Sequence, residues 1–214
     1  MDEEISIINT STRNERIKAF FFNNKKILIS ISVLLVLILF SYFSYQTYKD
    51  GHREWLANKY NSAVIEYENG DKTRIISHMK EIIEDNDKSY SPLALYFLID
   101  NNLIDNKDEI NILFDILIKK TNLEPEILNL TIYKKALFNS NFESENRLLE
   151  ILKPLINSES IWKSHALYLM AEYFYSKNEK EKSKEFFKKI ISLENSNSNI
   201  KLESQKKLNR DFGE

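Results

Sequence analysis

The sequence predicts an all-α protein: a single N-terminal transmembrane helix followed by a solenoid of helical hairpins. Three observations carry this expectation. Residues 27–48 read ILISISVLLVLILFSYFSYQTY, a 22-residue run without a charge. The 214 residues include only three glycines and three prolines, too few turn residues for an all-β domain of this size. Beyond the run, apolar residues recur at helical spacing in segments separated by short polar breaks.

As a helix the uncharged run is roughly 33 Å long, enough to cross a hydrocarbon core of about 30 Å. A cleaved secretory signal would have a shorter apolar stretch ending in a small-x-small site. Tyr42, Phe43 and Tyr45 spoil every such register here. Phe20, Phe21 and Phe22 on one side, and Tyr42, Phe43, Tyr45 and Tyr48 on the other, place rings where a membrane interface favours them. Within the span, Ser30, Ser41 and Ser44 project to one side of a regular helix, a candidate face for close contact with another membrane helix. Arg13, Arg16, Lys18, Lys25 and Lys26 precede the span, whereas Lys49, Arg53 and Lys59 follow it. This bias predicts a cytoplasmic N-terminus and a domain on the opposite side.

The expected organisation is a short cytoplasmic tail at 1–26, a transmembrane helix at 27–48, a repeat domain at 49–210 and a C-terminal tail at 211–214. Net charge is −2. The first 26 residues hold five cations and four acids, which leaves −3 for the remainder and no basic footprint for nucleic acid. Cysteine is absent, so disulfides, thiolate metal sites and cysteine nucleophiles are excluded. His52, His78 and His165 lie far apart, without metal-site spacing. There is no GxSxG and no glycine-rich phosphate loop. The reading is noncatalytic, with no cofactor and no metal.

Past the span, residues 53–68 form a first helix with Trp55, Tyr60, Val64 and Tyr67 near one face, closed by Asn69-Gly70. Asp71 caps a helix with the stripe Ile75, Ile76, Met79, Ile82 and Ile83. Ser91-Pro92 reads as a cap followed by a first-turn proline, opening a helix to about Asn102. Its partner spans 106–120, with Ile112, Leu113, Ile116 and Leu117 inward. Further pairs follow at 125–138 with 144–157, and at 160–176 with 179–193. Pro154 is expected to loosen the last turn of its helix. A final helix covers 200–210.

These pairs recur at a fixed period, the mark of a helical repeat. With Ser164 as position 1 of a 34-residue tetratricopeptide-type unit, Ala171 falls at 8, Ser183 at 20 and Phe187 at 24. Small residues at 8 and 20 let two helices approach, and large residues fill the groove between them. Thirty-five residues earlier, Ala136 stands at 8, with Leu148 at 20, Leu152 at 24 and Leu155 at 27. One unit earlier still, Asp100 replaces the small residue and the pattern breaks.

A short charged tail, Lys25-Lys26 before a single span, a Tyr-rich exit and the tract Asn61–Leu95 together resemble the family of the ancillary SecYEG translocon subunit. That family's tetratricopeptide domain is shared with a cell-division coordinator. The resemblance implies a bacterial inner-membrane protein with periplasmic repeats, and the SecYEG translocon and periplasmic chaperones as partners.

In a tetratricopeptide geometry the concave face takes positions 2, 5, 9 and 12 of each first helix. Those positions yield His165, Tyr168, Glu172 and Tyr175, with Tyr133 from the preceding unit, as protein-binding candidates. The expected function is a noncatalytic, membrane-anchored protein-interaction adaptor. Its alternatives are a structural scaffold for envelope or division machinery and a cytoplasm-facing docking platform.

Overall fold

The computed structural model describes residues 15–68 and 70–213, so Arg13, Asn69 and the acids at Asp2, Glu3 and Glu4 lie outside it. All regular secondary structure among the described residues is helical. The chain divides into two compact units, Met1–Trp55 and Leu56–Glu214.

In the first unit, residues 15–23 are helical and helix α1 (Lys25–Glu66) begins. Its uncharged run is long and apolar enough to cross a membrane, and none of it is buried against protein. Two hydroxyls in the run bond to the helix itself: Ser32 Oγ donates to the Leu28 carbonyl at 2.9 Å, and Thr47 Oγ1 to that of Phe43 at 3.0 Å. Beyond the run, His52 stacks between Tyr48 and Trp55, with ring centroids 6.4 and 5.7 Å away. Spacings of four and three residues bring these rings onto one helix face.

The second unit takes the last turns of α1, then α2 (Lys72–Glu84), α3 (Tyr90–Asp100), α4 (Lys107–Lys119), α5 (Pro125–Asn139), α6 (Glu145–Ile156), α7 (Trp162–Ser176), α8 (Lys180–Ser192) and α9 (Ser198–Phe212). The last helix therefore runs beyond Arg210 into the expected tail. Asp71 accepts from the Thr73 amide at 2.9 Å, Asn106 from the Asp108 and Glu109 amides, and Pro125 sits in the first turn of α5. Gly70 donates its amide to the Glu66 carbonyl at 2.6 Å. A Cβ there would meet that oxygen at 2.5 Å, so the chain reversal requires glycine. Elsewhere asparagine does glycine's work: Asn86, Asn102 and Asn178 hold positive φ just past helix ends, the left-handed position their short amide tolerates.

Three expectations fail. Leu56 and Ala63 are buried, with Tyr60 and Tyr67 at the core's edge, while Trp55 and Val64 face outward. Apolar residues stand side by side at 55–56 and 63–64, and a one-residue step turns a helix by about 100°, so two stripes were equally readable. Ile112 likewise faces outward, and Phe114 takes its place in the core. Ser91 is no cap. It is buried in the first turn of α3 and donates to the Ile82 carbonyl at 2.6 Å, while Asp87 accepts from the Ser89 and Tyr90 amides.

The core forms three clusters. The end of α1 through α4 contributes Leu56, Met79, Leu95, Leu98 and Phe114 to the first. Helices α5 to α7 build the second around Ala136, Leu152, Met170 and Phe174, and α7 to α9 the third around Ala171, Phe187 and Leu208. Helix α7 serves both clusters, which is why its sequence is apolar nearly all round. From α2 onward adjacent helices pack in sequence, and α2 also packs on α4, α5 on α7, and α7 on α9. Ala171, Ser183 and Phe187 are each fully buried.

Between the first two clusters lies a polar seam. Thr131, Lys135 and Asn139, four residues apart along α5, are all buried. Lys135 Nζ meets Asp115 Oδ1 at 2.6 Å, and Asn139 exchanges amide hydrogen bonds of 2.8 and 3.0 Å with Asn111. Burial opposes ionisation of Asp115, but hydrogen bonds from Lys135 and Lys119 outweigh it and hold the carboxyl below its usual range.

Several side-chain pairs across the helices are separated by nearly constant intervals. Thr121 bonds Asn86 and Tyr96 bonds Thr131, each 35 residues apart. Lys88 pairs with Glu124 and Trp162 with Glu126 at 36, and Lys182 with Glu145 at 37.

Candidate functional site

Ring contacts gather the sequence-predicted residues of the helical unit into two groups. In the first, Tyr133 on α5 lies 5.6 Å from Trp162 and 5.9 Å from His165 on α7. Burial pushes the Tyr133 hydroxyl's pKa up. In the second, Tyr168 packs on Phe187 at 5.6 Å, and Tyr175 on Phe212 of α9 at 6.1 Å. Lys207 of α9 reaches Glu172 at 2.7 Å and lies 5.2 Å from the Tyr175 ring centre. Burial, followed by the negative charges of Glu172 and Glu203, raises the Tyr168 pKa to about 12. Tyr175 and the Glu172–Lys207 ion pair therefore hold α9 against α7, while Tyr168 packs on α8. Ser30, Ser41 and Ser44 are exposed on α1, in the first unit.

A different feature offers a concave, accessible surface. A cleft of about 430 Å³ opens between α3 and α5, with Lys107 and Phe114 of α4 also lining it. Its floor is Phe114, fully buried, with Phe138 beside it at 6.2 Å between ring centres. On one wall the Tyr96 hydroxyl lies 2.8 Å from Thr131 Oγ1. Thr131 spends its only proton on the Ile127 carbonyl at 2.7 Å, so Tyr96 is the donor and its ring is fixed. Lys134 Nζ stands 4.4 Å from the centre of the Tyr96 ring. At the opposite rim Lys107 Nζ stands 4.1 Å from the centre of Phe142, which packs edge-on against Phe138. Asp100, exposed at the end of α3, lines the same cleft.

The sequence pattern did not reveal this cleft, although one signal was visible. Asp100 is the residue that broke the small position in the earliest expected repeat. A carboxylate cannot sit at a close helix crossing: Asp100 stands exposed at the end of α3, whereas Ala136 and Ala171 at the matching positions are fully buried. Nothing in the sequence marked Phe142 or Lys107, which reach the cleft from the turn after α5 and the first turn of α4.

Among the described residues no group of three or more His, Asp or Glu side chains is placed to hold a metal ion. Comparison with protein-family models, curated proteins and solved structures yields no match. Function must therefore be argued from this chain's own residues.

Proposed function

We propose that this protein is a noncatalytic adaptor, anchored by α1 in a bacterial inner membrane, whose tetratricopeptide-like repeats bind other proteins. The observation that carries the repeat reading is the recurrence of contacts at 35 to 37 residues, from Asn86–Thr121 to Glu145–Lys182. Contacts at one repeating interval are what stacked equivalent units produce. The packing of α5 on α7 and of α7 on α9 supports the same arrangement, with α9 as a terminal cap.

The apolar run of α1 supports membrane anchoring, and the excess of cations before it supports a cytoplasmic N-terminus with a periplasmic domain. The resemblance to the translocon's ancillary subunit points to protein export, near SecYEG and periplasmic chaperones. The cleft between α3 and α5, with fixed aromatic walls and cations at its rim, is the surface best suited to a protein ligand.

The test is crosslinking in intact membranes followed by mass spectrometry. Recovery of translocon subunits, chaperones or secretory clients attached to the helical unit supports the adaptor. Recovery of division proteins alone favours the scaffold alternative, and absence of any protein adduct overturns the reading.

A further inference from the structure

Resting on the adaptor reading, we infer that the cleft between α3 and α5 takes an acidic peptide segment of a partner protein, one large apolar side chain flanked by carboxylates. The apolar floor of Phe114 and Phe138 and a volume of about 430 Å³ suit the burial of one aromatic or long aliphatic side chain. The charge at the rim selects what flanks it.

Several lysines of this unit already have a carboxylate: Lys59 has Glu81, Lys80 has Glu109, Lys135 has Asp115 and Lys207 has Glu172. Lys107 and Lys134 differ. Among the described residues neither has a carboxylate within 4.0 Å, and each is held over a ring at the cleft instead. An ammonium seated on a ring face is partly desolvated and already positioned, so an incoming anion meets it at little ordering cost. Among the residues that line the cleft, these two cations face a single carboxylate, Asp100. Carboxylates spaced along a peptide can reach both lysines while avoiding Asp100, which repels a compact, highly charged anion.

The full chain in lipid nanodiscs is titrated into a dye-labelled peptide carrying one tryptophan with two glutamates on each side, and anisotropy is followed. Matched peptides replace the glutamates by glutamine or lysine, or the tryptophan by alanine. The glutamate peptide should bind about fivefold more tightly than the glutamine peptide at low salt, and the advantage should vanish at high salt. Lys107→Gln with Lys134→Gln should erase it at any salt, with an unchanged melting temperature confirming the fold. Equal binding of the lysine peptide, or an unaffected double variant, overturns the inference.

A photo-crosslinker at Phe142 in cells separates this inference from the reading beneath it. Adducts elsewhere on the helical unit, but none at Phe142, overturn the cleft while leaving the adaptor intact. No adduct anywhere removes both. An adduct to a second copy of this chain overturns the acidic-partner assignment.

Discussion

Lys135 Nζ lies 2.6 Å from Asp115 Oδ1 with only 7% of the lysine side chain exposed, and this pair joins two hydrophobic clusters through a polar seam. Removing one partner leaves a buried charge uncompensated, whereas removing both does not. Asp115→Ala should therefore lower stability by about 1–3 kcal/mol. Asp115→Leu combined with Lys135→Met should recover most of that loss. Thermal unfolding of the three proteins checks it, and additive losses in the double variant would show that the two residues do not act as a pair.

The same carboxyl governs a pH dependence. Its value is lowered in the folded state, so its contribution is present above the unfolded value near about 4 and is lost as pH falls through the folded value. Asp115→Asn should flatten that acid limb of the stability curve, measured by denaturant unfolding at a series of pH values.

Tyr168 supplies an alkaline counterpart. With a folded value of about 12 it resists ionisation, so its contribution is full below the unfolded value and is lost as pH rises toward 12. A spectrophotometric titration should show several tyrosines ionising above the usual value of about 10, and Tyr168→Phe should remove one near about 12.

Ala171 is fully buried in the cluster it shares with Phe187. Ala171→Phe overpacks the crossing of α7 and α8 and should cost about 1–3 kcal/mol. A variant melting like the parent would show that the crossing has room to spare.

Tyr175 and Phe212 tie α9 to α7. Tyr175→Ala should accelerate amide hydrogen exchange across residues 198–212 while leaving α3 to α5 unchanged. Uniform acceleration would instead mean that α9 and the rest of the unit open together.

What the sequence disclosed depended on how distinctive each signal was. The membrane run stood out because 22 consecutive residues without a charge match the thickness of a bilayer and exceed what the core helix of a small domain needs. The packing of α7 on α8 was legible because Ala171 and Ser183 are small residues inside otherwise bulky helices, and both are buried. The inward face of α1 was misread because Trp55 and Leu56 are neighbours, and only tertiary packing chooses between adjacent stripes. The polar seam was invisible for a related reason: Thr131, Lys135 and Asn139 look like a solvated face until Asn111 and Asp115 are seen opposite them. The tyrosines were legible as aromatic positions on α5 and α7, but not as the residues that seat Trp162 and α9. The cleft depends on chain reversals that carry Lys107 and Phe142 beside α3, and no local pattern encodes that meeting.

The central claim is a membrane-anchored repeat domain held on the side opposite the N-terminal tail. The chain contains no cysteine, so a single introduced thiol reports its own location without background. Asn195→Cys lies in the exposed loop before α9, and Thr10→Cys in the tail. With a membrane-impermeant maleimide applied to spheroplasts, Asn195→Cys should label fully and Thr10→Cys only after the membrane is lysed, both in protein that resists alkaline extraction. Labelling of Thr10→Cys with protection of Asn195→Cys would contradict the account, placing the domain in the cytoplasm and removing the export role with it.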